Sequence, residues 1–281
     1  RFPERLKPIS KRPCLTDLNN AINYNEIYEQ LMQLSLCVYA PSNYIFPSKL
    51  QKYKELTHNK GENLTQTGRE QGIRRLMSIN LLKRLESSVH SFQLTLTRIK
   101  ELINGTIQSI NQFEAYGRAD LDMYDAGGDD FDIDDENSDF FTVGKKVKID
   151  LADMDWKRWR TELKRDAEGL ELLTVMVADI TPEHDTKLQE LLKLVSDKIE
   201  HPINNQNKKV LIFTAFSDTA EYLYEHVSEY IKKNYELNTA VITGSIDGKT
   251  TIKGFQATLN NVLTCFSPVS KGRDVLMPGS T

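Results

Sequence analysis

The residues best suited to chemistry lie at 243–250, where Thr243-Gly244-Ser245-Ile246-Asp247-Gly248-Lys249-Thr250 follows an apolar run. Glycines, a lysine and a hydroxyl in that order are the ingredients of a loop that wraps a nucleotide. Backbone N–H groups cradle the phosphates, the amine neutralises charge, and the hydroxyl holds magnesium. Such a loop needs four residues between its glycines, and only three separate Gly244 from Gly248. The shortened loop cannot curl fully around a β-phosphate, and no later apolar strand delivers a magnesium-binding acid. A smaller task survives. Thr243, Gly244 and Ser245 bring small side chains and backbone amides close to an expected helix start, which suits one phosphate, such as one in a DNA backbone.

A second set of candidates is basic. Arg69, Arg74, Arg75, Lys83, Arg84, Arg98 and Lys100 face only Glu70 and Glu86 in the same stretch. Cations at helical spacing follow a phosphate backbone, and a solvated helix face has the same composition. Nothing else resembles a catalytic centre. His58, His90, His184, His201 and His226 lack metal-ligand spacing, and Cys14, Cys37 and Cys265 are odd in number and far apart. That argues against a disulfide framework or zinc cluster and for a reducing compartment. Tyr222, Tyr224 and Tyr230 read as packing rather than a base-stacking platform.

The elements that must position these residues are largely helical. Five prolines punctuate residues 1–68 around one helical pattern between about Ile22 and Tyr39. Leu82, Leu85, Val89, Phe92, Leu96, Ile99 and Ile103 then form a heptad seam, about 33 Å long at the usual helical rise, with Gly105 as its expected stop. Trp156, Trp159, Leu163, Leu170, Leu173, Val177 and Ile180 repeat the phase, broken only by Asp166. Two such seams predict a long antiparallel helical hairpin. In the last third, Thr181-Pro182-Glu183 reads as a helix start, and Leu188, Leu191, Leu192, Val195 and Ile199 mark its buried face. KVLIFTAF (209–216) has strand composition, Asp218 with Glu221 suggests a capping box, and Ala220 to Ile231 continues as a helix ending at Lys232-Lys233. A second strand at 239–243 and a helix at about 250–263 complete a strand–helix–strand–helix order, the beginning of a parallel sheet. The expected class is therefore α/β, predominantly helical, with an incomplete parallel sheet after the hairpin.

Formal charge is −4, with 36 Lys+Arg against 40 Asp+Glu in 281 residues. Ten of those acids lie between Asp120 and Asp139 without a single cation, and omitting them leaves a body of net charge +6. A run of that kind repels itself and buries little, so a solvated, disordered connection is expected at 120–140. The longest apolar stretch, near 170–178, contains Glu171 and cannot span a bilayer. Arg1 stands where an initiator Met would, and the end at MPGST follows an apolar DVLM. The chain therefore reads as a piece of a longer protein.

Four ordered segments carry a family likeness: NLLKRLESSVHSF (80–92), EHDTKLQELLKLV (183–195), KKVLIFTAFSDTAEYLYEHV (208–227) and Thr243-Gly244-Ser245. Together they resemble the Swi/Snf-type branch of superfamily-two helicases, most closely its bacterial members. The resemblance implies a DNA-dependent ATPase of two RecA-like lobes with helical protrusions. On it, residues 1–68 are the linker after the first lobe, 69–180 a helical protrusion, and 181–281 the first part of the second lobe. It implies DNA-backbone contacts by Thr214, Thr243, Gly244 and Ser245, with Lys83 and Arg84 as basic candidates beside them. It also implies a bacterial cytoplasmic, nucleoid-associated protein whose partner is duplex DNA, alongside the upstream first lobe and the downstream rest of the second. The parent would use ATP and magnesium, whereas this chain lacks the nucleotide loop, the magnesium acid and the arginine finger, and is expected to be inactive and cofactor-free. Two alternatives stay open: a helical scaffold or interaction module, and a small NTPase using Gly244–Thr250.

Overall fold

A computed structural model describes residues 6–18, 22–57, 66–117, 120–121, 149–244 and 248–276. The expected acidic connection at 120–140 falls, apart from residues 120–121, outside them. The described residues are predominantly helical and separate into two compact units, one of residues 20–179 and one joining 1–19 with 180–281. No helix among them is long and apolar enough to cross a membrane.

In the first unit, α1 (Tyr24–Gln33) opens on a reciprocal cap: the Asn23 side chain accepts from the Asn25 and Glu26 amides, and Glu26 accepts from the Asn23 amide at 2.9 Å. It stops well before Tyr39. The Asp166 carboxyl accepts from the backbone N–H of Ser35 (2.8 Å) and of Cys37 (2.8 Å), and from the Ser35 hydroxyl. Between those amides Leu36 is turned into the left-handed region at φ 46°, where two neighbouring N–H groups converge on one anion. The break that Asp166 makes in the apolar seam is thus the anchor that ends α1. Three short 3₁₀ turns (Cys37–Tyr39, Pro41–Tyr44, Pro47–Lys49) and α2 (Leu50–Thr57) follow. They are tied to residues 150–155, where Asp153 accepts from Tyr53 Oη (2.7 Å) and pairs with Lys52 (2.6 Å) and Lys49 (3.3 Å).

The expected single helix of residues 82–103 is two helices, α3 (Gln66–Ser87) and α4 (Val89–Tyr116). Ser88 is extended, and its hydroxyl caps the Ser91 amide at 3.0 Å. Gly105 does not stop α4. The helix runs on to Gly117, which adopts φ 67° and donates its amide to Phe113 at 2.8 Å. A short antiparallel pair, β1 (Asp120–Leu121) with β2 (Ile149–Asp150), precedes α5 (Trp156–Val177), whose N-cap is Asp155. Trp159, Leu163, Leu170, Leu173 and Val177 of α5 are buried, as are Phe92, Leu96, Ile99, Ile103 and Ile110 of α4. The helices run antiparallel, since Glu114 meets Arg160, Lys100 meets Glu171, and Gln93 donates to the Val177 carbonyl at 2.8 Å. The expected hairpin is formed by α4 and α5.

In the second unit, α6 (Thr186–Glu200) begins four residues after Pro182. Pro182–Asp185 forms a turn, and the buried Asp185 caps the Lys187 and Leu188 amides at 3.0 Å each. α7 (Ser217–Tyr235) has Phe216 as N-cap, so the anticipated Asp218–Glu221 box is not the cap, and the helix passes Lys233 to end on left-handed Glu236. Leu188, Val195 and Ile199 of α6 pack with Tyr222, Val227 and Ile231 of α7. β3 (Ala240–Val241) and β4 (Lys249–Thr250) pair antiparallel, and α8 (Leu259–Phe266), α9 (Pro268–Lys271) and α10 (Arg273–Leu276) follow.

The described residues contain no parallel pairing. The run at 209–213 is irregular chain, and the expected strand at 239–243 is reduced to two residues. Val210 packs on the α6–α7 core, while Leu211 (62% exposed) and Phe213 (86% exposed) face outward. A strand of such composition needs neighbours on both edges, and among the described residues it has none.

Candidate functional site

The candidate phosphate loop is built on α7 and the β3–β4 pair. Ahead of α7, the Thr214 hydroxyl accepts from the Phe216 amide and donates to the Phe216 carbonyl, both at 3.2 Å, which bends the chain into the helix start. Phe216 is buried beneath it. β3 packs against α7 and leads into half-buried Thr243 and exposed Gly244, while Ser245 lies outside the described residues.

The helix expected at about 250–263 starts well past this loop. Gly248 and Lys249 enter β4, and the next helix starts only at Leu259, under a Thr258 cap. Among the described residues no helix starts beside Thr243 and Gly244, so a helix dipole does not assist phosphate binding there. Their remaining assets are small side chains and backbone groups.

The residues that mimic a nucleotide loop are employed otherwise. A Cβ on Gly248 would lie 1.9 Å from the Ala257 carbonyl oxygen and 2.6 Å from Ile242 Cδ1, so glycine is required by backbone packing. The Lys249 amine pairs with Glu221 of α7 at 3.0 Å, and the Thr250 hydroxyl donates to the Thr239 carbonyl at 2.9 Å. Burial pushes the hydroxyl of nearby Tyr224 up, with Lys249 opposing. On the other side of α7, Tyr222 donates to buried Asp185 at 2.9 Å and meets His226 edge to face at 4.8 Å. Burial, then the Asp185 charge, holds that phenol far above the ordinary tyrosine value, so it stays a proton donor. These groups join α6 to α7 and leave nothing poised as a base.

Lys83 and Arg84 belong to the helical unit, on α3. Lys83 is exposed. Arg84 is completely buried, with Nη1 donating to the Ser91 hydroxyl at 3.1 Å, so a nucleic-acid phosphate cannot reach it. That proposed contact is corrected: the side chain braces the α3–α4 corner. Among the other cations of the 69–100 stretch, Lys100 is committed to Glu171.

A denser exposed set escaped the sequence reading. Lys157, Lys164 and Arg165 of α5 stand in solvent within WKRWRTELKR, five cations in nine positions. That density was visible, but it lay outside the stretch chosen for its low acid content.

No group of three or more His, Cys, Asp or Glu among the described residues could hold a metal ion. Of the cysteines, Cys14 is exposed and Cys37 buried; burial, then the Asp166 charge, pushes the Cys37 thiol up out of its reactive range. Compared with known proteins, the chain matches no protein-family model, no curated protein and no solved structure.

Proposed function

We propose that this chain forms part of an ATP-dependent DNA translocase of the Swi/Snf type, in the bacterial nucleoid. It supplies a helical protrusion and the opening elements of a second RecA-like lobe. The observation that carries this reading is the order in the second unit: an apolar run, the Thr214 turn, α7, then the two-residue strand β3 followed by Thr243-Gly244. The run at 210–213, exposed from Leu211 on and without a strand partner among the described residues, suits a strand within a parallel sheet whose other strands come from elsewhere in the parent. ATP and magnesium bind in the parent, at a loop and acid that this chain does not carry, and duplex DNA is the partner. Phosphoryl transfer rests on positioning and charge stabilisation by those parts, so this chain alone turns over no ATP.

Two measurements test it. The chain should bind duplex DNA with salt-sensitive affinity, and Thr243→Asp, which sets a negative charge against a phosphate, should weaken binding about tenfold, roughly 1.4 kcal/mol. ATP hydrolysis by the chain, lost in Lys249→Ala, would overturn the reading in favour of a small NTPase. A helical scaffold is favoured by one observation, the complete apolar seam of the α4–α5 hairpin, and predicts no salt-dependent DNA affinity.

A further inference from the structure

We propose that the exposed basic face on the first three turns of α5 docks the phosphodiester backbone of duplex DNA. This rests on the reading above that DNA is the partner, but on different residues from a different unit. Five cations fall between Lys157 and Arg165. Two are spent: Arg158 on Glu162 at 3.0 Å, and Arg160 on Asn111 (2.9 Å) and Glu114. Lys157, Lys164 and Arg165 are exposed and have no ion pair among the described residues. Lys157 makes one further contact, over the Trp156 ring at 5.3 Å.

Helical geometry aligns the three. Positions 157 and 164 are two turns apart, about 10.5 Å along the axis, with 161 and 165 beside them on the same face. Thr161, exposed between them, adds a hydroxyl and no charge. Most of the acids near this face are already engaged. Glu162 takes Tyr44 and Arg158, Glu114 takes Arg160, and Asp166 is buried under the Ser35–Cys37 amides. Glu168 is exposed one turn beyond Lys164, and Glu171 is held by Lys100. The patch therefore carries three positive charges without a salt bridge among the described residues, offset only in part by Glu114, Glu162 and Glu168 nearby, on a helix packed against α4.

The partner follows from charge complementarity. A phosphate backbone offers evenly repeated negative charge and asks for no side-chain pockets. An acidic peptide would gain most from an adjoining apolar groove, and the residues around these cations are Thr161, Glu168, other charged side chains and the single Trp156 ring under Lys157.

The test is a duplex-DNA titration of the whole chain, followed by fluorescence anisotropy across a series of salt concentrations. Combined Lys157→Ala, Lys164→Ala and Arg165→Ala should weaken binding and reduce the slope of log affinity against log salt by about 2.7, near 0.9 per lost phosphate contact. Combined Lys157→Arg and Lys164→Arg should keep both affinity and slope. A thermal melt matching the unaltered chain shows that the triple variant folds. An unchanged affinity and slope in the triple variant overturns the proposal, as does absence of binding by the unaltered chain at low salt. So does a polyglutamate peptide that competes as well as duplex DNA. Loss of binding in Thr243→Asp but not in the α5 variant sinks this surface and spares the loop reading; the opposite pattern supports this surface and sinks the loop.

Discussion

Asp166 ties the end of α1 to α5. Its carboxyl satisfies two backbone amides and a hydroxyl and holds Leu36 in a left-handed conformation that costs a non-glycine residue about 1 kcal/mol or more. Asp166→Ala should strip those donors of their acceptor and lower stability by about 3 kcal/mol, with Asp166→Asn less harmful, as read from urea denaturation. A variant within about 0.5 kcal/mol of the unaltered chain would refute the anchor. Asp153 makes a pH prediction. Hydrogen bonds from Lys52, then from Tyr53, hold its carboxyl at about 2, below the ordinary 3.8. A carboxylate held below its unfolded value stabilises the fold above that value and loses the contribution as pH falls through the folded one. Stability should therefore fall between pH 3.8 and about 2, and Asp153→Asn should flatten that part of the pH profile. Identical profiles would remove Asp153 from the account. Neither role was legible in the sequence. Asp166 showed only as a flaw in a heptad, because its partners lie 131 and 129 positions away.

At the level of elements, spacing was informative where burial is periodic and misleading where a single hydrogen bond intervenes. The α4 and α5 seams follow from apolar residues three and four apart, and the antiparallel hairpin follows from the two seams. The seam continues through Ser88 without a break in phase, so nothing in the pattern marks where the helix is cut; the Ser88 hydroxyl does that by capping Ser91. Glycine misled in the other direction. Gly105 lies inside α4 with open space where a Cβ would stand, and the stop is at Gly117, the glycine with positive φ. Gly105→Ala should therefore raise stability by about 0.5–1 kcal/mol in thermal or urea melts. A loss instead would mean that the glycine is needed for a close approach.

For the whole molecule, the main departure from expectation is the sheet. Val210 reaches the α6–α7 core, but Leu211 and Phe213 bury little, so replacing both with Lys should change stability by no more than about 0.5 kcal/mol. A large loss in denaturation would show that the run is packed in solution. The sequence by itself determined the predominance of helix, the hairpin seams, the α6–α7 apolar faces and the separation of acidic from basic charge. Each of those depends on residues close along the chain, whose periodicity and composition are local properties. Only the tertiary structure decided that Arg84 is buried, that Gly248 is a packing glycine, that Lys249 belongs to Glu221, that Asp166 ends α1, and that Val210–Phe213 finds no strand to pair with among the described residues. Those outcomes depend on which distant groups arrive beside a residue. Burial, backbone approach and hydrogen-bond partners are set by that arrival rather than by spacing.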